Sequence, residues 1–196
     1  VGSSLFATIG LAGHFDEGFK SRFTNNQLDI LSYTSYAYED LYRKGTCLLE
    51  PEQTYQAFTE NCESKNNANA AMIWGDSHAA ALSFGLRQHF TDVLQYNASG
   101  CPPLKDVIIN WRPHCKDAND FVLSKLKRLT PKKIFLHANW KLYKEEELAT
   151  NIQKTIQYLQ VILPATEIII IGSVPQWPIS LPMFMAKKHV NLNEEL

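Results

Sequence analysis

The ten residues Ala71-Met72-Ile73-Trp74-Gly75-Asp76-Ser77-His78-Ala79-Ala80 constrain this chain more than any other stretch. Ala71 to Trp74 is an apolar run of strand length, Gly75-Asp76-Ser77 is a tight turn, and an alanine-rich helical pattern begins at His78. A serine hydroxyl therefore sits where a strand ends and a helix starts. There the free N–H groups of the first helical turn and the positive end of the helix dipole can face a developing negative charge. Two roles are open to Ser77: helix N-cap, which serine favours, or nucleophile.

The alternation of strand and helix continues downstream. A helix follows through Ala79, Leu82, Phe84, Leu86 and Phe90, then a second strand over Val93 to Ala98 that ends in Ser99-Gly100. A proline-bearing loop spans 101–115. Asp117 or Asn119 opens a helix through Phe121, Leu123, Leu126 and Leu129, stopped before Pro131. Lys133 to Ala138 is the third strand, with Asn139-Trp140 just beyond it. Glu145 to Leu163 is helical, and Glu167 to Val174 is the fourth strand, before the loop Pro175-Gln176-Trp177-Pro178. Continuously apolar strands alternating with helices predict an α/β fold around a parallel sheet buried on both faces. Ligands of such sheets bind beyond the carboxyl ends of the strands, which is where Ser77, Gly100 and Asn139 all fall.

Upstream the pattern is weaker. Val1 to Phe23, with Gly2, Gly10, Gly13 and Gly18, reads as an extended lead-in in which His14 is a linker histidine. Asn25 or Asn26 caps a helix through Leu28, Leu31, Tyr36 and Leu41 that closes at Gly45. Its tyrosines, Tyr33, Tyr36, Tyr38 and Tyr42, either line a sugar-binding face or pack with their hydroxyls in water. Residues 47–65 form an excursion with a short helix after Pro51.

With 19 basic and 20 acidic residues, the charge nearly cancels, which argues against a nucleic-acid partner or an anionic membrane surface. No apolar run approaches the roughly 20 residues of a membrane span. The chain begins at Val1 without a signal-peptide pattern and stops in a polar segment, so the expectation is a piece of something longer. Cys47, Cys62, Cys101 and Cys115 fall as two pairs without the Cys-x-x-Cys spacing that zinc prefers. The predicted disulfides are Cys47–Cys62 and Cys101–Cys115; the alternative is four buried thiols in a cytosolic protein.

Gly75-Asp76-Ser77-His78 after a strand resembles the first motif of the SGNH hydrolases. Gly-Asp-Ser-His-Ala-Ala-Ala at 75–81, followed by Ser99-Gly100-Cys101-Pro102-Pro103-Leu104, resembles more narrowly the periplasmic SGNH domain fused to membrane acyltransferase-3 proteins, which O-acetylate cell-envelope polysaccharides. The resemblance covers roughly residues 45–178. It implies a three-layer α/β/α, flavodoxin-like fold in residues 26–196, incomplete at its C-terminus, after a linker at 1–25. It also implies an extracytoplasmic position, a membrane acyltransferase domain in the same full-length chain, acetyl-CoA as that domain's donor and a polysaccharide acceptor. No metal or cofactor is expected in this domain.

In the SGNH pattern Ser77 is the nucleophile, and the oxyanion hole combines the Ser77 N–H, the Gly100 N–H and the Asn139 side-chain amide. Gly100 is otherwise a turn glycine. The full Gly-x-Asn-Asp motif is replaced by Leu136-His137-Ala138-Asn139-Trp140, so Asn139 is equally a strand-end asparagine closing a turn. Asp76 diverges from the serine and braces the loop; His78 contacts substrate or lies exposed at the helix start. The family's Asp-x-x-His is missing: the only late histidine is His189, and position 186 is alanine. His137 lies in a strand, and His89 and His114 have no arranged partner. The last strand and the Asp/His pair are therefore expected beyond Leu196, which leaves the piece catalytically incomplete. Trp111, Trp140 and Trp177 stand near strand ends, able to stack on sugars or to pack. Three functions are consistent with these residues: an O-acyltransferase domain, a secreted carbohydrate esterase, and a non-catalytic binding module.

Overall fold

The run at 71–75 becomes the central strand of a five-stranded parallel sheet in the computed structural model of the chain, which describes residues 2–15, 19–143 and 145–188. The strands are β1 (Leu48–Leu49), β2 (Ala71–Gly75), β3 (Val93–Ala98), β4 (Lys133–His137) and β5 (Glu167–Ile171), in the order β1-β3-β2-β4-β5. Three long helices cover the sheet: α4 (Ser77–His89), α5 (Cys115–Leu129) and α6 (Glu145–Ile162).

Strand periodicity decides which side chain meets which helix. Met72, Trp74, Leu94, Tyr96, Ile134 and Leu136 share one face with Val122, Leu126 and Leu129 of α5 and Leu159 of α6. On the other face, Ile73, Val93 and Phe135 pack with Ala79 and Leu86 of α4. The result is the three-layer α/β/α arrangement that the apolar strands predict. Each fully buried Leu or Ile of these layers contributes about 1.5–3 kcal/mol. The buried Gln95 of β3 has partners for both ends of its amide: it accepts from Arg87 Nη1 at 2.8 Å and donates to the Tyr42 carbonyl at 2.8 Å. Both cysteine pairs are disulfides, Cys47–Cys62 and Cys101–Cys115.

The edges differ from the sequence reading. The two-residue β1, which pairs Leu48 and Leu49 with Asn97 and Ala98, carries too little pattern to be foreseen. β5 stops at Ile171 rather than Val174, and as an edge strand it leaves Ile170 43% exposed, so its isoleucines are not buried on two faces. α5 starts at Cys115, ahead of Asp117 and Asn119.

The chain divides into two compact units, residues 37–174, which carry the sheet, and residues 1–36 with 175–196. In the latter, Gly2–Phe15 is a helix, α1, rather than an extended lead-in. Its Leu, Ala, Phe and Ile residues outweigh glycines that cost about 1 kcal/mol each. The helix expected over 25–45 is two short ones, α2 (Asn25–Ser32) and α3 (Tyr38–Tyr42), the second belonging to the sheet unit. The cap is Thr24, in a reciprocal box with Gln27, rather than Asn25 or Asn26. α2 ends where Ser32 and Thr34 turn their hydroxyls onto the Asp29 and Leu31 carbonyls, each at 2.6 Å, offering the backbone an alternative to further helix. A last helix, α7 (Leu181–Lys187), packs on α2, with Gln27 Nε2 donating to the Ala186 carbonyl at 2.9 Å. His189 lies outside the described residues. Among the described residues, no helix is long and apolar enough to cross a membrane.

Candidate functional site

The sheet register brings the expected residues to one edge. Gly75 is paired with Asn97 of β3 on one side and His137 of β4 on the other, so these three residues form a row across neighbouring strands. Ser77 and Asn139 follow that row by two residues and Gly100 by three, on strands roughly 4.8 Å apart. All three are half-buried, open to solvent at the carboxyl end of the sheet.

Ser77 is not the helix cap. That role belongs to Asp76, whose Oδ1 accepts from the His78 N–H at 2.8 Å, while Ser77 is the first helical residue. Among the described residues, the Ser77 hydroxyl makes no hydrogen bond and the Ser77 and Gly100 N–H groups have no acceptor. Two unengaged amide donors beside an unengaged hydroxyl are the elements of an acyl-transfer site.

Asp76 does more than brace its own loop. It is 1% exposed, and its Oδ2 accepts from the Asn139 backbone N–H at 2.8 Å and from the Tyr143 hydroxyl at 2.9 Å. One carboxylate thus ties the serine turn to the segment after β4. Burial first, then the Asp76 charge and hydrogen bond, push the Tyr143 phenol well above its ordinary range, so Tyr143 stays a donor. Gly75 is required at this junction: a Cβ there would lie 1.7 Å from the His137 carbonyl oxygen.

Gly100 occupies the left-handed region at φ +67°, and a Cβ on it would meet Trp111 Cζ3 at 2.5 Å. Its loop is held from three directions. The Cys101–Cys115 disulfide closes it. Asn119 donates to the Pro102 and Leu104 carbonyls at 2.8 and 3.0 Å while accepting from Trp74 Nε1 at 3.0 Å. Arg112, 1% exposed, spends its guanidinium on the carbonyls of Ser99 (2.8 Å), Glu50 (2.7 Å) and Pro51. Burial lowers its pKa, and the acceptors are neutral carbonyls rather than a carboxylate. Arg112, Asn119 and Tyr143 carry no motif, and only their positions within or just after expected loops single them out in the sequence.

The remaining candidates divide. His78 is half-buried with its ring 6.2 Å from that of His137. His137 is buried; Nδ1 meets the Ile171 carbonyl at 3.0 Å, and as a carbonyl can only accept, Nδ1 carries the proton. Trp140 is 8% exposed with Nε1 donating to the same carbonyl at 2.7 Å, so its ring packs rather than offering a face to a sugar. Trp177 belongs to the other unit, where its ring lies 5.1 Å from Phe184. Trp111, by contrast, lies against Gly100 and is 60% exposed.

Residues 42–195 match the family model described as SGNH domain (fused to AT3 domains). Among solved structures, the periplasmic domain of a lipopolysaccharide acetyltransferase from Salmonella ser. Paratyphi A is similar in fold, with a TM-score of 0.63 and 24% identity over 83% of this chain. The chain spans 66% of that structure's length. No curated protein matches the chain.

Proposed function

From the premise that the chain belongs to the family of SGNH domains fused to AT3 domains, we propose that it is the extracytoplasmic acyl-transfer domain of a membrane O-acyltransferase that O-acetylates a cell-envelope polysaccharide. The observation that carries this reading is the unengaged Ser77 hydroxyl beside the unengaged Ser77 and Gly100 N–H groups at the carboxyl edge of the sheet. The disulfides fit an oxidising compartment, and the similar Salmonella structure is the periplasmic part of a lipopolysaccharide acetyltransferase.

In this mechanism Ser77 Oγ attacks the donor's acyl carbon, its proton passes to a base, and the carbonyl oxygen becomes an oxyanion. The Ser77 and Gly100 N–H groups and the Asn139 amide hold that oxyanion, and donor-group departure leaves an acyl-serine. A sugar hydroxyl then attacks the same carbon, the ester to Ser77 breaks, and the proton returns to Oγ. Asp76 is engaged with three donors, which makes it a positioning residue rather than the base. The test is labelling of the full-length protein with a fluorophosphonate: adduct on Ser77, lost in Ser77→Ala together with acetyl transfer, is expected. An unlabelled Ser77 in a protein that still transfers acetyl groups would sink the proposal.

A further inference from the structure

Beside the serine edge lies a cavity of about 220 Å³ whose walls come from the Cys101–Cys115 loop, from the segment between β4 and α6, and from the first turns of α6. It adjoins the candidate site through two residues already described. Trp111 lines it and touches Gly100; Tyr143 lines it and donates to Asp76. Its rim is apolar and open, with Ile108 72%, Trp111 60% and Leu142 55% exposed. Besides the Tyr143 hydroxyl its polar groups are Asn110, Asn151 and Glu147, and among the described residues no lysine or arginine lines it. A second cavity, about 470 Å³, shares Asn151 and continues along α6 past Lys154 and Tyr158.

We propose that the first cavity is the acceptor subsite, seating one uncharged sugar ring of the glycan, with the next part of the polymer running along α6 over Asn151. This rests on the O-acyltransferase reading and specifies where the acceptor binds. Three features choose the occupant. An exposed indole beside neutral amides suits a pyranose, whose faces are apolar and whose rim is hydroxyls. Among the described lining residues Glu147 is the only charged one, and it opposes an anionic ring. An acyl chain alone would need neither the three polar side chains nor the continuation into a second cavity. The volume is below the roughly 300–1,000 Å³ of drug-sized sites, which limits the first subsite to a single ring.

The experiment uses the full-length chain, p-nitrophenyl acetate as donor, and the source cell's envelope polysaccharide after mild alkaline de-O-acetylation as acceptor. Trp111→Ala and Asn151→Leu are each expected to raise the acceptor KM about tenfold, the loss of one aromatic or hydrogen-bonded contact, with the change falling on KM rather than kcat. Trp111→Phe restores most of the loss, which distinguishes stacking from a collapse around Gly100. Asn151 is not in contact with Gly100 by any hydrogen bond, so its variant reads the far wall separately. A KM within twofold of wild type in both variants overturns the proposal. So does a loss confined to kcat, which would make the cavity an acyl pocket. Ser77→Ala transferring at the wild-type rate would instead overturn the serine reading, and the KM shifts would still report on the cavity.

Discussion

Replacing Asp76 by asparagine changes one atom's chemistry and no volume, yet the hydrogen-bond geometry makes it costly. Three donors converge on the two carboxylate oxygens: the His78 N–H on Oδ1, and the Asn139 N–H with the Tyr143 O–H on Oδ2. An amide has one oxygen. If that oxygen faces Asn139 and Tyr143, the NH2 points at the His78 N–H and the cap is lost; if it flips, the NH2 points at the Asn139 N–H, which cannot turn away. Losing a cap costs about 1 kcal/mol. Reducing two charge-assisted bonds to neutral ones costs about 1 kcal/mol each. The smaller desolvation cost of an amide returns part of this. The expected destabilisation is about 2–3 kcal/mol out of a total of about 5–15. In urea titrations followed by tryptophan fluorescence, Asp76→Asn should lower the midpoint accordingly. Combined with Tyr143→Phe, it should cost less than the sum of the single changes by at least about 0.5 kcal/mol, because both act on one carboxylate. Strict additivity, or a cost of Asp76→Asn below about 0.5 kcal/mol, would refute the three-donor clamp.

Gly100→Ala must place a side chain at φ +67° and against Trp111, so p-nitrophenyl acetate turnover should fall by about a hundredfold or more as the donor N–H is displaced. Adding Trp111→Ala relieves only the clash and should not restore the rate. Removing the Cys101–Cys115 link by paired alanines should cost about 3 kcal/mol from loop closure, measured by denaturation with and without reductant. The same change should depress turnover more than removing Cys47–Cys62, since only the former tethers the Gly100 loop. For Glu63, burial raises the pKa, but hydrogen bonds from Arg128, Lys125 and Tyr96 outweigh it and hold the carboxyl below 4.5. With the folded pKa depressed, its stabilisation is complete above the ordinary carboxylate pKa and is lost as pH falls below 4.5 towards the folded value. Glu63→Gln should therefore flatten the acid limb of the stability–pH curve.

The sheet was legible because its strands are rich in large apolar residues and separated by helical patterns, and the runs at 71, 93, 133 and 167 each begin where the strand begins. β1 was not, since two residues carry no period. The helix over Gly2–Phe15 was hidden by glycines, which argue locally for turns although their cost is spread over a longer segment. Ser77, Gly100 and Asn139 could be grouped because a parallel sheet sends every strand's carboxyl end to one edge. The partners of Asp76 could not, because they depend on the exact register of β4 against β2, which no local pattern encodes. Trp140 and Trp111 illustrate the same limit. Both follow or precede expected elements, but only packing decides that one ring is buried on the Ile171 carbonyl and the other lies open beside Gly100.

The three turn residues at 75–77 divide the work in a way that bears on function. A connection that only had to pass from strand to helix would be served by any small residue and any capping side chain. Here Gly75 makes room for the His137 carbonyl, and Asp76 spends both oxygens on the cap and on the β4 exit. The two together fix β4 and the central strand to each other at the row from which Ser77 and Asn139 depart. Ser77, between a carboxylate that already accepts from three donors and a helix that is already capped, is left among the described residues with a hydroxyl and an amide that make no hydrogen bond. Leaving its hydroxyl open beside a second unspent N–H at Gly100 forgoes hydrogen bonds that each contribute about 1 kcal/mol, which is the kind of local inconsistency that functional sites retain.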